Sequence, residues 1–84
     1  MTRDDADALA GVLRGRFDAY VDAEEVAPGR FRFTLVSPKF TNLSPLKRQD
    51  EVWEAIDQNV SRDQGIDISL VWTFAPGETQ LVED

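Results

Sequence analysis

The stretch that decides the fold is Arg30-Phe31-Arg32-Phe33-Thr34-Leu35-Val36-Ser37-Pro38-Lys39-Phe40-Thr41-Asn42-Leu43-Ser44-Pro45, with its continuation to Val60. Phe31, Phe33 and Leu35 alternate with Arg30, Arg32 and Thr34, the period-2 signature of a strand with one face on a core. Ser44 before Pro45 reads as an N-cap followed by proline at the first helical position, where the missing N–H costs nothing and the fixed φ suits the helix. Leu46, Trp53, Ile56 and Val60 then fall at spacings of seven, three and four, a stripe expected to face the core. Lys47, Arg48, Glu51, Glu54 and Asp57 lie largely off it. Between strand and helix a serine-anchored turn is expected, with Asn42 at positive φ, since asparagine tolerates left-handed backbone.

In order and without a gap, Ser37-x-x-Phe40, the turn residue Asn42, Ser44, Arg48 and Val52 resemble the signature of the BolA-like proteins. That family has a serine and a phenylalanine closing a strand, a turn glycine, a serine, an arginine-histidine pair and a helical valine at these offsets. The resemblance covers about a third of the chain closely, and the flanking elements agree in order only. Asn42 stands in place of the turn glycine and Gln49 in place of the histidine after Arg48; the chain has no histidine at all.

Outward from this stretch, Ala6, Leu9, Ala10, Leu13 and Phe17 follow helical spacing. Asp4, Asp5 and Asp7 suit the positive end of a helix dipole, so a helix is expected from about Asp4 to Arg14 with Gly15 as its C-cap. Phe17 to Val26 reads as a strand with Phe17, Ala19, Val21 and Ala23 on one side and Asp18, Tyr20, Asp22 and Glu24 on the other. Ala27-Pro28-Gly29 turns it back as an antiparallel hairpin with the strand beginning at Arg30. Ser61 to Gly65 reads as a loop. Ile66, Ile68, Leu70, Trp72 and Phe74 alternate with Asp67, Ser69, Val71 and Thr73 as the cleanest strand, expected to be central with its aromatic residues in the core. Ala75-Pro76-Gly77 stops it, and a frayed acidic tail is expected over 76–84.

The order α-β-β-α-β implies a single α+β domain over residues 1–84, its ordered core about 4–75: a three-stranded mixed sheet, helices on one face and water on the other. The BolA-like resemblance implies the same arrangement, related to the type II K-homology fold. Eighty-four residues make one small core.

Without cysteine or histidine the chain has no disulfide, thiolate or imidazole chemistry, and no cofactor is expected. No carboxylate cluster has the spacing of a calcium loop, and no glycine loop cradles phosphate, so no enzyme is expected. Met1-Thr2-Arg3-Asp4-Asp5 is not followed by an apolar run and no stretch is long enough to span a bilayer; the expected compartment is the cytoplasm, with no membrane partner. The net charge of −7 divides unevenly: −4 over residues 1–29, +5 over 30–48 and −8 over 49–84.

Two functional expectations follow. The resemblance implies an adaptor or regulatory protein that partners a monothiol glutaredoxin in iron–sulfur trafficking, here without its own cluster ligands. Gln49 holds the motif position, and Asp67 or Ile68 falls where the family has another histidine. The alternative is a nucleic-acid-binding domain using the basic 30–48 segment, weak because net negative charge opposes a polyanion. Residues expected to serve either partner are Arg30, Arg32, Ser37, Lys39, Phe40, Lys47, Arg48 and Gln49.

Overall fold

The computed structural model of the chain describes residues 1–78. Its elements are α1 (Arg3–Phe17), β1 (Tyr20–Ala27), β2 (Arg30–Val36), a 3-10 turn (Pro38–Phe40), α2 (Pro45–Asn59), α3 (Arg62–Gly65) and β3 (Ile68–Phe74). The sheet order is β1-β2-β3, with β1 antiparallel and β3 parallel to β2. The α+β arrangement with a mixed three-stranded sheet is as expected. The central strand, however, is β2, and β3 lies at an edge. Parallel pairing of β2 with β3 requires a crossover, which α2 and α3 provide.

The core forms where α1, α2 and one sheet face meet. Ala6, Leu9, Ala10, Leu13 and Phe17 of α1 face Val21, Ala23, Phe31, Phe33 and Leu35, and Val52, Ala55 and Ile56 of α2 complete the layer. α1 opens on a capping box, Thr2 Oγ1 accepting from Asp5 N–H and the Asp5 carboxylate accepting from Thr2 N–H. It runs three residues past the expected end at Arg14. Its C-cap is not Gly15 but Asp18, in left-handed backbone at φ 49° with its N–H on the Arg14 carbonyl. Phe17 is thus helical rather than strand, its ring 5.5 Å from that of Phe40.

At the hairpin, Gly29 takes φ 72°, which a side chain disfavours, and a bulge lies between Glu25 and Ala27. Ser37 is wholly buried: its hydroxyl donates to the Phe17 carbonyl and accepts from Lys39 N–H, tying the end of β2 to the end of α1. Among the described residues Asp18 is the only non-glycine at positive φ, so Asn42 does not take the left-handed turn expected of it. The 3-10 turn reverses the chain instead.

Ser44 caps α2 by accepting from Lys47 N–H, as expected. The buried arc of α2 is Arg48, Val52, Ala55 and Ile56, and Leu46 is 73% exposed. Leu46 is in phase with Trp53, but six residues of a 3.6-residue repeat put it about 120° from Val52, which centres the arc. Trp53 and Val60 are partly buried at its margin. The expected loop at 61–65 is a single helical turn with its own capping box, Ser61 and Gln64.

β3 departs furthest from expectation. Phe31 pairs with Ile68 but Arg32 pairs with Leu70, so Ser69 is an extra residue in the strand. One extra residue exchanges the faces of everything after it. Ile68 and Val71 are buried, whereas Leu70 is 43% and Trp72 45% exposed on the face away from the helices, and Ile66 lies exposed before the strand. The tail expected to fray from residue 76 begins as a bonded turn, Glu78 N–H donating to the Ala75 carbonyl at 3.1 Å. Residues 79–84 lie outside the described residues. No helix of the described residues is long and apolar enough to cross a membrane.

Candidate interaction surface

The first turns of α2 and the edge of β3 enclose a cleft of about 500 Å³, lined by Pro45, Arg48 and Gln49 on one side, Trp72 and Phe74 on the other, and Glu78 at one end. Because β3 is an edge strand, nothing among the described residues pairs with its outer side. Trp72 and Phe74 stack along it, ring centroids 5.9 Å apart and planes 9° from parallel.

Arg48 closes the end of this cleft. Its side chain is on the buried arc of α2 and is only 7% exposed. Nε donates to the Leu43 carbonyl at 2.9 Å, Nη1 to Glu78 Oε1 at 2.7 Å and Nη2 to Glu78 Oε2 at 3.0 Å. The Glu78 carboxylate also accepts from Ala75 N–H at 2.8 Å. These bonds, the guanidinium first and the backbone amide second, hold the Glu78 carboxyl at about 2, well below its ordinary value of 4.5. The same pairing raises Arg48 above its usual value, against the opposing effect of burial. Both groups are therefore charged at neutral pH, and each satisfies the other.

Gln49 occupies the next position on α2. Its Nε2 donates to the Val71 carbonyl at 2.9 Å and its Oε1 accepts from Trp53 Nε1 at 3.2 Å. A helix side chain thereby takes up a carbonyl on the free edge of β3, which otherwise would have no strand to bond.

Of the eight residues expected at a partner site, Arg48 and Gln49 meet at this cleft, and the other six do not. Ser37 and Phe40 are fully buried and serve the core. The five basic side chains form no single surface. Arg30 begins β2 and Lys39 follows its end, with a strand about 20 Å long at 3.3 Å per residue between them. Arg32 is ion-paired with Glu24 of β1, Arg48 with Glu78, and Lys47 is exposed on α2. A segment that is a positive island in sequence is thus dispersed in space.

Sequence reasoning missed Leu70 and Trp72 as exposed residues, and Phe74 as half-buried beside them, because it placed all three in the core. Nothing in Ile68-Ser69-Leu70 distinguishes a bulge from regular alternation. Tyr20, expected to be the exposed aromatic, is 65% exposed.

No family model matches the chain, and no curated protein matches it by sequence. Solved structures do. The chain superposes on BolA1 from Arabidopsis thaliana with a TM-score of 0.68 at 15% identity, covering 92% of this chain and 98% of that one. The fold is BolA-like. The crystal structure of a Bol-like protein from Babesia bovis is similar with a TM-score of 0.61 at 18% identity, covering 100% of this chain and 95% of that one. The likeness spans the whole domain, beyond the third of the sequence that carries the BolA-like pattern.

An iron–sulfur cluster, which the BolA-like resemblance implies is shared with a partner, does not fit these residues. Gln49 has an amide where the pattern has an imidazole, and both its polar ends are engaged. Among the described residues no three acidic, histidine or cysteine side chains are grouped to hold a metal.

Proposed function

We propose that this chain is a non-enzymatic BolA-like adaptor that works by docking a protein partner against the edge strand β3 and the first turns of α2. The observation that carries this reading is the exposure of Leu70 and Trp72, with half-buried Phe74 beside them, on one strand face next to the cleft. Large aromatic residues at the rim of a concave surface are the commonest anchors of protein interfaces. Because indole and phenyl rings gain most from leaving water, such a surface favours a protein partner over a phosphate backbone.

The partner class suggested by the BolA-like pattern is a monothiol glutaredoxin. Without an imidazole at Gln49, the adaptor contributes surface and not ligands, so any cluster in the complex is held by the partner's own groups. The dispersed basic side chains weigh against the nucleic-acid reading, which needs several cations facing one way.

The experiment is an affinity pull-down from native cells using the wild-type chain and Trp72→Glu as baits, with mass spectrometry of what is retained. Recovery of a monothiol glutaredoxin by the wild type and its loss with Trp72→Glu is the expected result. Retention of the same proteins by both baits, or recovery that disappears on nuclease treatment, overturns the reading.

A further inference from the structure

The sheet face turned away from the helices has an order that the cleft alone does not explain. Strand pairing aligns its side chains in three rows: Tyr20–Val36–Phe74, Asp22–Thr34–Trp72 and Glu24–Arg32–Leu70. The β3 side is apolar and the β1 side is acidic. Glu24 is neutralised by Arg32 across its row, whereas Asp22, among the described residues, has neither an ion pair nor a side-chain hydrogen bond. A surface with exposed tryptophan, leucine and tyrosine therefore contains one uncompensated carboxylate, in the row that ends at Trp72.

We infer that this open face receives an amphipathic helix of a partner protein whose apolar anchors run along β3 and whose flank carries a lysine or arginine that pairs with Asp22. The inference rests on the adaptor reading and specifies the chemistry of the partner. Covering the aromatic side chains with a purely apolar surface strips water from Asp22 with nothing in exchange, which is costly for a charge. A flanking cation removes that cost and selects among partners.

The spacing suits a helix. Same-face residues on a strand recur every 6.6 Å or so, close to the roughly 6 Å between positions i and i+4 of a helix, so successive anchors meet Leu70, Trp72 and Phe74 in turn. Strands lie about 4.8 Å apart, which puts the β1 row about 10 Å from β3. A lysine or arginine on the flank of a helix seated over β3 spans that distance with its apolar stem across Thr34.

Other occupants fit less well. A phosphate backbone meets two carboxylates and an already paired arginine. A second copy, stacked face to face, brings two chains of charge −7 together.

The probe is a designed helical peptide of about 18 residues with leucine at i, i+4 and i+7 and lysine on one flank, and a twin with glutamate in place of lysine. Each is titrated into the full chain by ¹⁵N NMR. The lysine peptide is expected to shift the amides of Tyr20, Asp22, Thr34 and Trp72, and to bind about ten-fold more tightly than its twin. Asp22→Asn, with an unchanged melting temperature, is expected to abolish that difference and leave the residual apolar binding. Equal affinities, shifts centred on α1 or α2, or no binding by either peptide overturns the inference. So does a DNA duplex that shifts these amides more than the peptide, or a dimer in sedimentation that Trp72→Glu dissolves. Native partners lost with Trp72→Glu but retained with Asp22→Asn leave the adaptor reading standing and sink this one. Partners retained with Trp72→Glu sink the adaptor reading itself.

Discussion

Arg48 and Glu78, thirty positions apart in sequence, meet through two parallel hydrogen bonds of 2.7 and 3.0 Å, the guanidinium fork matched to the carboxylate. The pair joins the first half of α2 to the turn that follows β3, and so ties both sides of the cleft at one end. An arginine so placed would, without its partner, be a charge held mostly out of water.

The pairing makes stability depend on acid. The Glu78 carboxyl titrates at about 2 in the folded chain against 4.5 ordinarily, so folding favours its ionised form. That contribution is complete above about pH 4.5 and is lost as pH falls toward 2. Urea midpoints measured across this window are expected to fall, and Glu78→Gln is expected to flatten that part of the profile while lowering the midpoint at neutral pH. An unchanged profile in the variant would show that the carboxylate contributes nothing there.

Trp72→Ala is expected to cost no more than about 1 kcal/mol, since the side chain is partly in water and makes its ring contact with Phe74 alone among described aromatic residues. Phe33→Ala, by contrast, opens a cavity at the centre of the sheet and is expected to cost about 3–5 kcal/mol. Chemical denaturation of the two variants side by side checks the exchange of faces in β3. A Trp72→Ala cost comparable to that of Phe33→Ala would return the tryptophan to the core.

Gln49→Ala leaves the Val71 carbonyl and the Trp53 indole N–H without their partner and is expected to cost about 1–2 kcal/mol. Gln49→His keeps a ring N–H for one of these bonds and is expected to cost less. Neither the wild type nor Gln49→His alone is expected to hold a cluster after anaerobic reconstitution, because one imidazole is too few ligands. Absorption in the visible region from either isolated protein is the contrary outcome.

Asp18→Gly is expected to raise stability by up to about 1 kcal/mol. Left-handed backbone costs an L-residue about 1–2 kcal/mol, which aspartate partly avoids, and glycine's greater unfolded freedom offsets some of the gain. A lower thermal midpoint would mean that the aspartate side chain does more at this cap than tolerate the angle.

Affinity for DNA or RNA is expected to be no tighter than about 10⁻⁴ to 10⁻⁶ M at physiological salt, the range of non-specific contacts. Arg32 and Arg48 are already paired with carboxylates, and Arg30 and Lys39 stand at opposite ends of β2. Fluorescence anisotropy with Lys47→Glu as the control measures this. Sequence-selective binding at nanomolar concentration, abolished by that variant, would falsify the ranking of protein over nucleic acid.

Local chemistry determined much of the molecule from the sequence alone. The alternation of Phe31, Phe33 and Leu35 fixed β2 and its buried face, Ser44-Pro45 fixed the start of α2, and Pro28-Gly29 fixed the hairpin, because each signal acts within a few residues of itself. The order of elements then left few ways to cover one apolar face, which is why the α+β sheet with helices on one side was legible. What only the tertiary structure decided depends on pairing between distant segments. β3 is an edge strand with Leu70, Trp72 and Phe74 turned outward because one unpaired residue, Ser69, reverses its phase against β2, and strand register is set by the partner and not by the strand. Arg48 is removed from the positive surface because Glu78 folds back onto it, and the remaining basic residues separate because β2 is extended. Residues neighbouring in sequence share an environment only when the chain between them turns.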